Sequence, residues 1–249
     1  MKQNEPLFSI ITITYNASKE LPATMRSVAE QTFTDFEHLI IDGASKDDTV
    51  GIAKKMATPN MAIYSEPDKG LYDAMNKGLR KAKGKYLIFM NAGDAFHDKH
   101  VLMQMSQVVG DDTDIIYGDT NLVDACREFV AKRHLSVPEK LTFGSFRKGM
   151  LVCHQAFVVR RELAPEYDLR YRFSADYEWC LKCLKKTSYR RCKNLHRVIV
   201  DYLVDGLTDK NHKASLKERF AIMCEYFGYI SAILFHLSFV PRYFYRKFM

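Results

Sequence analysis

Three aspartates, Asp42, Asp68 and Asp94, each stand at or soon after the C-terminal end of a run that reads as a strand. The runs are Phe36 to Ile41, Met61 to Ser65 and Tyr86 to Met90. Consecutive apolar and aromatic residues, as in the last run, suit a strand covered on both faces. On a parallel sheet the C-terminal strand ends line one edge, and open α/β sheets bind ligands in the crevice there. The spacing therefore predicts three carboxylates around one crevice. Carboxylates so placed can accept hydrogen bonds from a ligand or hold a divalent cation against a phosphate. Asp94 is the first candidate for the cation. It closes the turn-forming stretch Asn91-Ala-Gly-Asp94, so it equally suits the cap of a helix expected near Phe96 to Val109.

These side chains need a scaffold, and the chain supplies one in alternation. Phe8 to Tyr15 is rich in β-branched residues and reads as the first strand. A helix follows from about Glu20 to Gln31. After the second strand, Asp47 and Asp48 suit the positive end of a helix running to about Met56. After the third, Glu66-Pro-Asp-Lys-Gly70 leads into a helix from about Leu71 to Lys83. Four strand–helix alternations in about 95 residues predict a doubly wound parallel sheet. Beyond Asp94 the pattern changes. Ile115 to Asp119, Phe129 to Leu135, Cys153 to Val159 and Val198 to Val204 read as further strands. Phe143 to Met150 carries little regular signal and reads as a mobile loop, and a helix is expected to about Lys186. The fold class is α/β, a mixed sheet that is parallel first and antiparallel late, with a C-terminal helical tail.

Composition narrows the possibilities. The chain has 249 residues, 47% of them apolar, enough for a substantial core. The six cysteines are scattered and no signal-peptide pattern opens the chain, so a reducing, cytoplasmic setting is expected. Residues 1–120 carry 13 Lys and Arg against 17 Asp and Glu; the remainder carries 24 against 13. A basic half attracts anionic lipid or phosphorylated substrates. No helix-turn-helix, zinc-finger or RNA-binding signature points to nucleic acid. Cys180-Leu-Lys-Cys183 has no second pair at zinc-finger distance and lies in a helical pattern, which favours packing. The G-x-G-x-x-G dinucleotide fingerprint and the P-loop are both absent.

Phe8 to Asn16, Asp42-Gly-Ala-Ser-Lys-Asp-Asp-Thr49, Glu66 to Gly78 and Phe89-Met-Asn-Ala-Gly-Asp94 resemble, in order and spacing, family 2 glycosyltransferases of the GT-A fold. His154-Gln-Ala156 and Ala175-Asp-Tyr-Glu178 continue the match, so it spans roughly residues 7 to 205. The resemblance implies transfer of a hexosyl or N-acetylhexosaminyl group from a nucleotide diphosphate sugar, usually a UDP-sugar, with inversion. It also implies Mn2+ or Mg2+. Residue by residue, it places Asp42 and Asp68 at the base or ribose and Thr14, Tyr15 and Asn16 along the nucleotide. It places Asp94 on the metal and Asp176 as the base that deprotonates the acceptor; Lys69, Arg160, Arg161 and Arg172 are the candidate cations for the diphosphate, most of them read as solvated surface. His154 and Gln155 fall near the acceptor, and a late histidine that some relatives give to the metal falls on His212. The sequence departs at Asn91 and Gly93, where the family commonly has Asp, so only Asp94 keeps a carboxylate there.

The resemblance gives a transferase domain over residues 1–210 and a tail over 211–249. Gly228 to Val240 has no formal charge but is short of the ~20 residues that span a bilayer. Pro241 to Met249 mixes Arg242, Arg246 and Lys247 with four aromatics, a composition suited to an anionic membrane interface. The expected acceptor is a glycan or lipid-linked sugar of surface polysaccharide synthesis, met at the inner face of the cell membrane. A helix packed on the domain or at a homodimer interface is the alternative for the tail. Two rival functions remain: a sugar nucleotidyltransferase, for which Asn16-Ala-Ser-Lys19 is a poor loop, and a non-catalytic nucleotide-sugar-binding subunit.

Overall fold

The computed structural model describes residues 5–204 and 212–237. Four strands make the first half of one sheet: β1 (Phe8–Thr14), β2 (Phe36–Asp42), β3 (Met61–Ser65) and β4 (Tyr86–Phe89). They lie in the order β3-β2-β1-β4 and pair in parallel throughout. Helices α1 (Leu21–Ala29), α2 (Thr49–Lys55) and α3 (Leu71–Lys81) connect them. Every residue of β1 is buried, as a strand covered on both faces requires. Register aligns Thr14 with Asp42 and Asp42 with Ser65, so one row of polar side chains crosses three strand ends. Gly84 lies so close to β1 that a Cβ would meet Ser9 N at 2.5 Å, which fixes the approach of β4.

The second half is mixed. Strand β5 (Ala95–Phe96) is followed by α4 (Val101–Gln107), β6 (Ile115–Val123), β7 (Phe129–Lys132) and β8 (Phe157–Arg160). Helix α5 (Ala175–Lys185) and β9 (Cys192–Leu203) complete it. The sheet continues β4-β8-β6-β9-β5, with β8 antiparallel to both β4 and β6. β9 runs parallel to β6, a late parallel pair that the alternation along the chain does not reveal.

Three expectations are corrected. Asp94 does not open a helix: the residues after it form β5, paired with β9, and α4 starts only at Val101. Pairing with a distant strand overrides the local cap signal. Phe143–Lys148 is a 3-10 turn closed by a Thr142–Ser145 capping box, with Phe146 fully buried, not a mobile loop. Residues 154–156 are a 3-10 turn rather than the start of a strand.

Helices α6 (His212–Phe227) and α7 (Tyr229–Leu237) follow. Ile222, Met223 and Ala232 join the main core, so these helices pack on the sheet domain. Among the described residues no helix is long and apolar enough to cross a membrane. The boundary expected at 210/211 lies outside the described residues, as do the side chain of His212 and the segment Pro241 to Met249.

Candidate functional site

The polar row at the strand ends is the floor of the site. Asp42 is 1% exposed, and Ser45 and Ser65 hold it, with a single bond on Oδ1. Ser45 N donates to Oδ2 at 3.0 Å, Ser45 Oγ to Oδ1 at 2.5 Å, and Ser65 Oγ to Oδ2 at 2.6 Å. Beside it the Thr14 hydroxyl is enclosed and has no partner, an orphan group of the kind that a ligand or water satisfies.

The loops above this floor interlock. Asn16 adopts a left-handed φ of 48°. Its N–H donates to Ser45 Oγ at 2.8 Å, and its Oδ1 accepts from Lys46 N at 2.9 Å. Asn tolerates that conformation because its side chain bonds locally. Ser18 N and Thr49 N both donate to Asp47, and the Thr49 hydroxyl beside it holds the Asp47 carboxyl down at about 2. Asp68 comes over from the third strand. A Cβ added at Gly43 would meet Asp68 Oδ2 at 2.4 Å and the Tyr15 ring at 3.3 Å. Gly43 therefore lets Tyr15, Asp42 and Asp68 share one corner. Asp68 Oδ1 accepts from Gly70 N at 2.8 Å, Lys69 N donates to Asp73 Oδ2 at 2.9 Å, and Lys77 Nζ donates to the Pro67 carbonyl at 2.6 Å. Tyr15 is 59% exposed, a ring standing free at the mouth of this corner.

Asp94 lies on the other side of β1. Ala92 N donates to Ile13 O at 3.1 Å, so the 91–94 turn flanks the strand end opposite Asp42. Thr24 of α1 fixes that turn, accepting from Gly93 N at 2.9 Å and donating to Asp94 O at 2.6 Å. Arg127, from the β6–β7 turn, donates to the Gly93 carbonyl. The Asp94 carboxylate is 4% exposed and turns inward. Leu203 N donates to Oδ1 at 3.1 Å and Gln155 Nε2 to Oδ2 at 2.7 Å. The Cys153 thiol donates to Gln155 Oε1 at 3.0 Å, which fixes the amide's orientation. Burial pushes the Asp94 carboxyl up to about 7, and the Leu203 N–H, Gln155 and the Arg127 charge pull it back only in part. No hydrogen bond among the described residues joins Asp94 to the Asp42–Asp68 corner.

Asp176 stands in the first turn of α5. Its Oδ1 accepts from Tyr177 N at 2.9 Å and from Tyr72 Oη at 3.1 Å. Tyr72 is in the first turn of α3, four residues past Asp68, so this bond ties Asp176 to the loop that carries Asp68 and Lys69. Burial first, and the Asp176 charge next, hold the Tyr72 phenol protonated well above its ordinary value, so it stays a donor.

His154 is placed differently from Gln155. It is buried among Phe89, Tyr167 and Trp179, with Nε2 at 2.7 Å from Tyr167 Oη. Burial pushes its pKa down to about 4, so it is a neutral core imidazole at ordinary pH. The structure thus groups Thr14, Tyr15, Asn16, Asp42 and Asp68 in one corner and links Asp176 to it through Tyr72. Gln155 belongs with Asp94. Ser45, Ser65, Tyr72 and Arg127 were not singled out from the sequence. The register would have found Ser65, which pairs with Asp42, and Ser45 follows Asp42 closely enough for a local side-chain turn; nothing local marks Tyr72 or Arg127.

A divalent cation is implied by the family resemblance, and the donors here fit one that takes most of its ligands from elsewhere. Each Asp94 oxygen keeps a free lone pair, and the Asn91 side-chain oxygen is enclosed with no donor. Both are hard oxygen ligands of the kind Mg2+ and Mn2+ take. Among the described residues no group of three His, Cys, Asp or Glu side chains could hold an ion unaided.

Residues 9–167 match the model of Glycosyl transferase family 2. A PGL/p-HBAD biosynthesis glycosyltransferase of Mycobacterium tuberculosis is 34% identical over 206 residues, 79% of this chain and 77% of its own. A UDP-Glc:alpha-D-GlcNAc-diphosphoundecaprenol beta-1,3-glucosyltransferase of Escherichia coli is 26% identical over 183 residues, 72% of this chain and 70% of its own. Among solved structures, TarS 1–349 of S. aureus in complex with UDP-GlcNAc has a TM-score of 0.72 at 16% identity, over 95% of this chain and 72% of that one. A mannosyltransferase from Pyrobaculum calidifontis, in complex with GDP-Man and Mn2+, has a TM-score of 0.65 at 14% identity, over 96% of this chain and 76% of that one. These two share the fold. With the sheet order, the polar strand ends and more than half of its length matched, the chain is a glycosyltransferase of the GT-A fold and belongs to glycosyl transferase family 2.

Proposed function

We propose that this enzyme transfers a sugar from a nucleotide diphosphate sugar, a UDP-sugar, with inversion, to a glycan or lipid-linked acceptor of surface polysaccharide synthesis. One observation carries the reading. The Tyr72–Asp176 bond of 3.1 Å joins that carboxylate to the helix that follows the Asp68 loop, which supports a base near the corner formed by Tyr15, Asp42 and Asp68. In that corner Asp42 and Asp68 accept from the base and ribose, Thr14 supplies its unpartnered hydroxyl, and Tyr15 and Asn16 border the nucleotide. Lys69 offers its charge to the diphosphate. Inverting displacement needs a base on the face of the sugar opposite the leaving group. Asp176 receives the acceptor hydroxyl's proton, while Tyr72 and the Tyr177 N–H keep the carboxylate aimed. Asp94 and Asn91 would hold Mn2+ or Mg2+, which supplies positive charge to the departing diphosphate. A panel of UDP- and GDP-sugars, incubated with a lipid-linked sugar acceptor and Mn2+, Mg2+ or EDTA, tests this. UDP release with Mn2+ or Mg2+ is expected, and NMR should show the opposite anomer in the product. Retention of configuration, or equal release in EDTA, would remove the mechanism.

The membrane side of this reading rests on α7. There Tyr229, Ile230, Leu234 and Leu237 are all more than half exposed, an apolar helix face with nothing over it among the described residues. With exposed Lys213, Lys217, Arg147 and Lys148 near the same helix pair, it suits the inner face of an anionic membrane. Changing both Ile230 and Leu234 to Glu should abolish sedimentation with phosphatidylglycerol vesicles and leave UDP release on a soluble acceptor intact. Unchanged vesicle binding would rule out this surface.

A further inference from the structure

We propose that Arg219 binds a phosphate ester on the acceptor, so that the acceptor is a sugar phosphate joined to an apolar chain. The inference rests on the acceptor-side reading of Asp176. Helix α6 packs the face Ser215, Arg219, Ile222, Met223 and Tyr226, a helical spacing that turns these residues to one side. Ser215 Oγ lies 3.0 Å from Ser174 Oγ. Glu218 accepts from Arg172 N at 2.9 Å and from Phe173 N at 2.8 Å, and the Tyr226 hydroxyl donates to Glu178. These contacts clamp α6 along the start of α5, and Arg219 lies on the same face of α6 between Ser215 and Tyr226. Its charge reaches the Tyr72 and Tyr177 phenols.

Arg219 has no acid partner among the described residues, and its Nε is enclosed without an acceptor. Among the described residues Arg127 and Arg133 also lack an acid partner but are taken up by backbone carbonyls, and other arginines of the second half pair with acids. Asp114 pairs with Arg160 and Arg191, Asp168 with Arg170, and Asp98 with Arg197. An enclosed N–H on a cation is unfavourable until an acceptor reaches it, and a planar guanidinium suits a phosphate best. The enclosed atom is Nε alone; the residue as a whole is only part-buried. Ten to eighteen residues further on, the same helix pair exposes Tyr229, Ile230, Leu234 and Leu237. A cation whose charge reaches the phenol bonded to Asp176, on a helix pair that also exposes an apolar face, suits a phosphate with a hydrocarbon chain attached.

Farnesyl diphosphate, farnesol and inorganic pyrophosphate are the probes, titrated calorimetrically into the full chain with UDP saturating so that the donor corner is filled. Farnesyl diphosphate is expected to bind at least ~10-fold more tightly than either of the others, the size of effect a charge-assisted hydrogen bond gives. Arg219→Gln should lose that margin and Arg219→Lys should keep most of it, both with unchanged melting temperature. Equal binding of farnesyl diphosphate by Arg219→Gln and the parent chain would overturn the proposal, as would equal binding of farnesol. Pyrophosphate binding as tight as farnesyl diphosphate would mean a free-phosphate site and overturn the lipid-linked form. A separate UDP titration reads the donor corner: failure there strikes the glycosyl-transfer reading and leaves the Arg219 comparison, repeated without UDP, still decisive.

Discussion

Replacing Asp176 with Asn is expected to lower sugar transfer by ~10²–10⁴-fold, the usual contribution of a positioned general base, while UDP affinity stays within about twofold. The two effects separate because the residue touches different things. Its Oδ1 accepts from Tyr72 and from the Tyr177 N–H. An Asn oxygen can accept both, so α3 and α5 stay joined and the Asp68 loop keeps its place. What the amide cannot do is take a proton. The nucleotide corner does not depend on that carboxylate, since Asp42 is held by Ser45 and Ser65 and Asp68 by Gly70 N. Rates by coupled nucleotide release and affinities by calorimetry measure the split. Full transfer in the Asn variant would sink the assignment. A parallel loss of UDP affinity would mean that Asp176 shapes the donor corner rather than serving as the base.

Much of this corner was legible in the sequence for a reason that can be stated. Parallel strands in register place equivalent positions side by side, so acids at successive strand ends meet without any knowledge of the loops. Asp42 and Asp68 came together on that logic. Asp94 shows its limit. Its partners, Gln155 and Leu203, lie 61 and 109 residues away, on a 3-10 turn and at the end of a strand that pairs late. No local pattern reports such contacts, so the depth of the carboxylate and the β5 pairing after it were both hidden. Gln155 and His154 are neighbours in sequence with opposite fates, because a tight 3-10 turn sends one amide to Asp94 and one imidazole into the aromatic core. Tyr72 was read only as part of a helix. It gains a role when α5 arrives from 104 residues away.

The buried ionisable groups make a second large effect, and it has two opposing signs. Burial lowers His38 to about 3 and His154 to about 4. As pH falls below the ordinary imidazole value near 6.5, the unfolded chain takes up protons that the folded chain refuses, so stability is lost down to those folded values. Burial raises Asp94 to about 7. There the folded chain takes up a proton between pH 7 and the ordinary carboxyl value near 3.8, and stability is gained as pH falls. Between pH 7 and 5 each imidazole withdraws ~2 kcal/mol and the carboxyl returns ~2 kcal/mol. The parent chain should therefore lose only ~1–2 kcal/mol over that range. Asp94→Asn removes the compensating group and should lose ~4 kcal/mol over the same range. His154→Phe, with the carboxyl kept, should be almost level. Urea unfolding at pH 7, 6 and 5 reads the slopes, which are insensitive to a constant packing penalty in either variant. Equal slopes for the Asn variant and the parent chain would show that Asp94 is ionised throughout and that its burial does not govern its charge. The same titration bears on the metal. A carboxyl that is half protonated near neutrality must shed its proton to accept a cation, so the affinity for Mn2+ should rise with pH up to about 8 in the parent chain. The Asn variant, with no proton to shed at that position, should lack that rise.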